Sequence, residues 1–200
     1  MNLNFKLYFK YILFFSNQLF LKYLFRNDKN TNLIVSRKNA YYLTLHLKLS
    51  SLFYSTQLMD IFAYDLPVNI NNVVNISNTT TAPILNNSIL VYNFHSIFYQ
   101  QRFFIFVLNT PDININKNSL YWSSLNSITE LFLNANWLER EVSELHGIFF
   151  SGKKDLRNLM LQYGDTSAPM QKTFPSVGIR EIFYDSVSDL LIQNPVSLQF

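Results

Sequence analysis

From Ser127 onward the apolar residues fall into a single helical stripe: Leu131, Ala135, Leu138, Val142 and Leu145 recur at i, i+4, i+7, i+11 and i+14. This is the clearest helix in the chain, and any fold must bury its apolar face. Gly147 stands where a left-handed C-terminal cap is wanted, and His146 in the last turn suits the negative end of the helix. A second, short helix is expected from Asp155 as N-cap, with Leu156, Leu159 and Met160 on one side and Gly164 after it.

Upstream, strand patterns dominate. Residues 33–36 read as a short strand, and 61–64 as another, closed by Asp65, Leu66 and Pro67. Residues 89–96 and 102–108 flank a short connection and read as an antiparallel hairpin. Leu43, Leu45, Leu47 and Leu49 alternate with polar residues, a strand period, while the following Leu52, Phe53 and Leu58 also suit a helix. The pattern leaves both assignments open. Residues 68–87 are rich in Asn, Thr and Ser, have no apolar period, and are expected to form a long exposed loop. Acceptor-type tripeptides at Asn75, Asn78 and Asn86 reflect Asn abundance rather than glycosylation.

The two ends differ from this middle. Residues 1–25 are apolar and aromatic but interrupted by Lys6, Lys10 and Lys22. A spanning helix needs about 20 apolar residues, and the longest uncharged run, 11–21, contains Asn17 and Gln18. Lys6 and Lys10 lie one helical turn apart, so an amphipathic helix packed on protein is expected, with a membrane-surface helix as the alternative. The stretch has neither a small-residue cleavage site nor an Arg- and Ser-rich leader composition, the pattern of a protein made where it works. Residues 26–32 are polar and turn-forming. Beyond Gly164, Pro169, Pro175, Gly178 and Pro195 punctuate a run carrying Phe174, Ile179, Phe183 and Tyr184. Such a run cannot bury its aromatics against itself and is expected to order along a partner's surface.

The expected class is therefore α+β: a small antiparallel or mixed sheet with packed helices, followed by an extended C-terminal arm. Three parts are expected. An N-terminal helical segment occupies 1–32, and an α+β domain 33–152. A short helix and an arm that wraps a partner subunit occupy 153–200.

Composition narrows the chemistry. The 200 residues include no cysteine, which excludes disulfides and cysteine-ligated iron–sulfur clusters within this chain. Charged residues are only 14% of the total and 16% are aromatic, a balance that suits a surface covered by partners. The Asn-, Phe- and Ile-rich usage fits AT-rich organellar coding. His46, His95 and His146 form no metal-ligand motif, and the glycines at 147, 152, 164 and 178 form no phosphate-cradling loop. Glu139, Arg140, Glu141 and Glu144 sit together on the strong helix, opposite or beside its apolar stripe. Acid–base pairs work across a cleft, and neighbours on one helix flank do not make one. The spacing suggests instead that Arg140 and Glu144 pair along the helix, while Glu141 shares a face with Trp137.

This helix and the residues after it also carry a signature. Trp137, Leu138, Glu139, Arg140, Glu141, then Gly147, Ile148 and Phe150, then Asp155, Leu156 and Arg157, resemble the 30-kDa subunit family of respiratory complex I, called subunit 9 when organelle-encoded and present in bacteria under another letter. Tyr163, Gly164, Lys172, Phe174, Pro175, Gly178, Glu181, Tyr184 and Asp185 continue the likeness. Weaker echoes run from Leu58 through Asp60, Ile61 and Asp65 to Pro195, Val196, Leu198 and Gln199. Departures are Glu144 for the usual Asp, His146 for an aromatic, and Lys153 and Lys154 for a His–Pro pair. Asn158 and Gln171 replace arginines, and Thr173 an Asp.

The resemblance implies a non-catalytic structural subunit of the peripheral arm of mitochondrial complex I, on the matrix side of the inner membrane. Its C-terminal extension would lie along the 49-kDa-type subunit, near the subunit carrying the terminal cluster. No cofactor is implied in this chain; FMN, iron–sulfur clusters and ubiquinone would belong to other subunits. Arg140, Arg157, Lys172 and Arg180 are the implied interface anchors, with Trp137, Phe174 and Tyr184 as aromatic ones. Glu139, Glu141, Gly147, Asp155 and Pro175 complete the candidate set. The rival reading from composition is a mitochondrial ribosomal protein, favoured by a pI near 9.0 but opposed by scattered rather than clustered Lys and Arg. A related scaffold in a membrane-bound hydrogenase and a peripheral membrane protein rank below it.

Overall fold

The computed structural model describes residues 20–25, 31–50, 56–66, 88–98, 100–109 and 124–196. Strands β1 (Phe20–Phe25) and β2 (Thr31–Ser36) lead through a 3₁₀ turn (Arg37–Asn39) into α1 (Ala40–Leu49). Then come β3 (Thr56–Asp65), β4 (Ser88–Ser96) and β5 (Gln101–Asn109). After β6 (Leu125–Asn126) come α2 (Ala135–His146), β7 (Phe150–Ser151) and the strands β8 (Arg180–Asp185) and β9 (Leu190–Pro195).

Five strands form one sheet in the order β1-β2-β5-β4-β3. Neighbours are antiparallel except β2 and β5, which run parallel from Thr31↔Phe103 to Ser36↔Leu108. The sheet is mixed and the class is α+β, as the patterns indicate. The expected β4–β5 hairpin is present in full register, Ser88↔Asn109 to Ser96↔Gln101.

The N-terminal helix is corrected at its C-terminal end. Residues Phe20–Phe25 are a strand, the outermost of the sheet, and pair with β2 through Tyr23↔Leu33 and Leu24↔Asn32. Three of its six residues are aromatic, which suits a pleated surface, and β2 supplies the edge that a helix would leave unpaired. Segment 1–32 is thus no separate helical module, since β1 and the start of β2 belong to the sheet. Lys6 and Lys10 lie outside the described residues, as does the expected loop at 68–87.

The Leu43–Leu49 ambiguity resolves to helix. Within α1 the buried positions are Ala40, Leu43, Thr44 and Leu47, a spacing of i, i+3, i+4 and i+7, while Leu49 points to solvent. Thr44 satisfies its buried hydroxyl on the Tyr41 carbonyl at 2.8 Å. In β3 the register shifts between Leu58 and Asp60. This bulge puts Leu58 and Ile61, three apart, on the same inward face. Both helices pack on that face: Leu43 and Leu47 of α1 and Ala135 and Val142 of α2 join Leu33, Val35, Tyr92, Phe94, Phe103, Ile105 and Val107 in one core. Phe94 stacks on Phe103 at 5.5 Å between ring centres and meets Phe132 at 5.4 Å.

The strong helix begins at Ala135 rather than near Ser127. Residues before it fold into turns closed by Leu131 and Phe132 N–H groups on the Ile128 carbonyl. Its C-terminal cap is as expected: Gly147 has φ +67°, and its N–H donates to the Ser143 carbonyl at 2.9 Å. A Cβ there would also come within 2.8 Å of the Gln171 amide nitrogen. Gly147→Ala is therefore expected to cost about 1–2 kcal/mol, read as a lower urea midpoint at unchanged slope.

Candidate functional site

The helix α2 carries three charged side chains, Glu139, Arg140 and Glu144, that organise everything after it. Glu139 lies on the same face as Ala135 and Val142, not opposite the apolar stripe, and is fully buried. Its carboxylate accepts hydrogen bonds from the Ser127 hydroxyl at 2.7 Å and the Ile128 N–H at 2.8 Å. The Lys153 ammonium, 1% exposed, completes the site at 3.3 Å from Oε2. Lys153 also donates to the Asn136 carbonyl at 2.8 Å. Burial lowers the Lys153 pKa and the Glu139 charge opposes that shift. The nearby Tyr92 hydroxyl is held protonated, by burial first and by the field of Glu139 second. A carboxylate so satisfied can hold the 127–128 turn and the Lys153 strand-end to the helix. It is a structural clamp.

Arg140 and Glu144 do not pair with each other, although their spacing allows it. Arg140, 9% exposed, reaches forward instead. Its Nε and Nη2 donate to the Arg157 and Asn158 carbonyls at 2.7 and 3.0 Å, and its Nη1 lies 3.6 Å from the Asp155 carboxylate. Glu144 accepts the N–H groups of Leu159, Met160 and Leu161 at 2.9, 2.6 and 3.3 Å. One helical turn of α2 thus satisfies the carbonyls and then the amides of the next segment. This arrangement replaces the expected short helix: the amides of 159–161 are committed to Glu144, and Asp155 faces Arg140 and Arg157 rather than capping. Arg157 holds Asp155 at 3.0 Å through both Nε and Nη2, which lowers the Asp155 pKa to about 2. Leu156 and Met160, expected on a buried helix face, are exposed.

Further on, the chain crosses the end of α2. Met170 N–H donates to the Leu145 carbonyl at 3.0 Å, the Gln171 amide to the His146 carbonyl at 2.9 Å, and Lys172 N–H to the Asp65 carboxylate at 3.1 Å. Lys172 itself is exposed, Phe174 is half-buried and Pro175 exposed. Phe174 and Arg180 help to line an open cleft of about 600 Å³ together with Tyr163 and Asp165.

The end of the arm is not irregular: β8 and β9 pair from Arg180↔Pro195 to Asp185↔Leu190, with the Tyr184 hydroxyl donating to Asp189. Pro, Gly and Asn residues around it hide the alternation in the sequence. Ile182, Tyr184 and Leu191 share one face, and Phe183, Ile192 and Leu190 the other. All but the half-buried Ile192 are exposed. Trp137 on α2 is also exposed, at 64%, with Glu141 half-buried beside it. Of the candidate residues, Glu139, Arg140, Asp155 and Arg157 are brought together near Lys153, while Lys172 and Gly147 meet at the crossing. Arg180 and Tyr184 stand apart on the hairpin. Sequence reasoning missed Lys153 and Asp65. Their signal is weak, an unremarkable lysine pair and a strand-terminal acid.

Residues 33–179 match the family described as "Respiratory-chain NADH dehydrogenase, 30 Kd subunit". The chain belongs to that family. Among relatives of the 30 kDa subunit, the "NADH-ubiquinone oxidoreductase subunit 9" of Acanthamoeba castellanii is 32% identical over 171 residues, covering 86% of this chain and 74% of that one. The "NADH-ubiquinone oxidoreductase 30.4 kDa subunit, mitochondrial" of Neurospora crassa is 43% identical over 76 residues, 38% of this chain and 27% of that one. The fold is also that of a trypsin-resistant fragment of Nqo5, with a TM-score of 0.51 and 22% identity, covering 74% of this chain and 98% of the fragment. The ribosomal alternative finds no support beside these relatives of the 30 kDa subunit. Among the described residues no group of three or more His, Asp or Glu is placed to hold a metal ion, and no helix is long and apolar enough to cross a membrane.

Proposed function

We propose that this chain is a non-catalytic structural subunit of the peripheral arm of mitochondrial complex I, facing the matrix, that holds the quinone-reducing module together. In this role it binds the 49-kDa-type subunit and the subunit carrying the terminal cluster, and FMN, iron–sulfur clusters and ubiquinone reside on other chains. The observation that carries the reading is the form of residues 153–196. Their root is gripped by charged side chains of α2, while the hairpin beyond exposes apolar residues on both faces. An isolated two-stranded hairpin is marginal in water, and apolar residues on both faces suit contact with another protein. Mitochondrial relatives favour the compartment.

The test is native-gel separation of detergent-solubilised mitochondrial membranes with mass spectrometry of each band. The chain is expected in the megadalton band that oxidises NADH. Its recovery in a different assembly would sink the proposal.

A further inference from the structure

At the crossing of the C-terminal segment over α2, two polar atoms are buried and, among the described residues, lack a hydrogen-bond partner: Asp65 Oδ1 and His146 Nδ1. They belong to residues that hold consecutive positions of the segment. Asp65 accepts Lys172 N–H through its other oxygen, and the His146 backbone carbonyl accepts the Gln171 amide. Unsatisfied buried polar atoms are uncommon in folded proteins and call for a reason. We propose that His146 is a proton-operated latch that frees residues 170–172 from the ends of β3 and α2 when its imidazole is protonated. The latch concerns this chain alone and does not depend on which partner the segment meets.

The charged groups around the imidazole are few. Asp65 comes from β3, Lys172 is exposed on the segment, and Glu144 on the same helix is committed to the amides of 159–161. Burial disfavours the imidazolium and lowers the His146 pKa, with Asp65 offsetting only part of that cost. Neutral His146 therefore favours the closed crossing. In the open state the ring is in water and titrates near the ordinary histidine value of about 6.5. As pH falls below that value the open state gains a proton that the closed state resists, so closure weakens with acid and is fully present above it. Histidine is the side chain suited to this range.

The experiment follows the amides of Met170 and Lys172 by hydrogen exchange in the full-length protein at pH 7.5 and 5.5, corrected for intrinsic rates. A several-fold, up to about tenfold, loss of protection at the lower pH is expected. His146→Phe should show no such change. The imidazole of the unaltered protein, followed by NMR, should titrate below the ordinary histidine range. Protection that does not change with pH, an equal loss in the Phe variant, or an imidazole titrating at or above the ordinary value would each overturn the latch.

Discussion

Replacing Glu139 by alanine is expected to destabilise the protein by about 3–5 kcal/mol, enough to remove most of the stability of a domain of this size. The substitution strands the Lys153 ammonium in a site where it is 1% exposed. It also takes the acceptor from the Ser127 hydroxyl and the Ile128 N–H. Most of the cost is the unpaired charge rather than the lost attraction. The double variant Glu139→Met with Lys153→Met should therefore recover a large part of the loss, leaving chiefly the two orphaned donors. Urea unfolding of the full-length chain and a double-mutant cycle measure both quantities. A single variant that loses under about 1 kcal/mol would show that water replaces the carboxylate and that the clamp is not closed.

The second large effect concerns assembly instead of folding. Placing glutamates at Ile182 and Leu191, on one face of the β8–β9 hairpin, should reduce incorporation into the complex by about 100-fold or more. Two buried apolar contacts, each worth about 2 kcal/mol at an interface centre, are lost, and two carboxylates are desolvated. Both residues are exposed in the chain, at 67% and 73%, so the melting of the isolated protein should not change. Glutamates at Phe183 and Ile192 test the other face. If both pairs of variants enter the complex normally, the hairpin is not an anchor.

The hairpin β4–β5 is readable in advance because its alternation is strict and both flanks are polar. In α1, Leu43, Leu45, Leu47 and Leu49 satisfy two periods at once. Only the placement of Ala40 and Thr44 against the sheet decides for helix, and that is a tertiary choice. Glu139 misleads because a carboxylate is expected to face water, yet its spacing from Ala135 and Val142 puts it on the buried face. The grip of Arg140 and Glu144 on 157–161 links residues up to 18 positions apart through main-chain groups. No side-chain pattern announces such contacts. The family likeness is legible because it rests on order and identity of residues rather than on period, and it indicates the module without showing what its charges touch.

The parallel seam between β2 and β5 has a consequence for how the chain is made. The residues it joins are roughly 70 positions apart, a closure whose entropy must be met before any pairing rewards it. The strands β3, β4 and β5 pair in sequence order and can assemble as a meander. On the ribosome, the first strands to emerge are therefore among the last to find their place in the sheet. The β1–β2 pair must wait, its apolar face uncovered, until residue 109 has left the exit tunnel and β5 offers its edge.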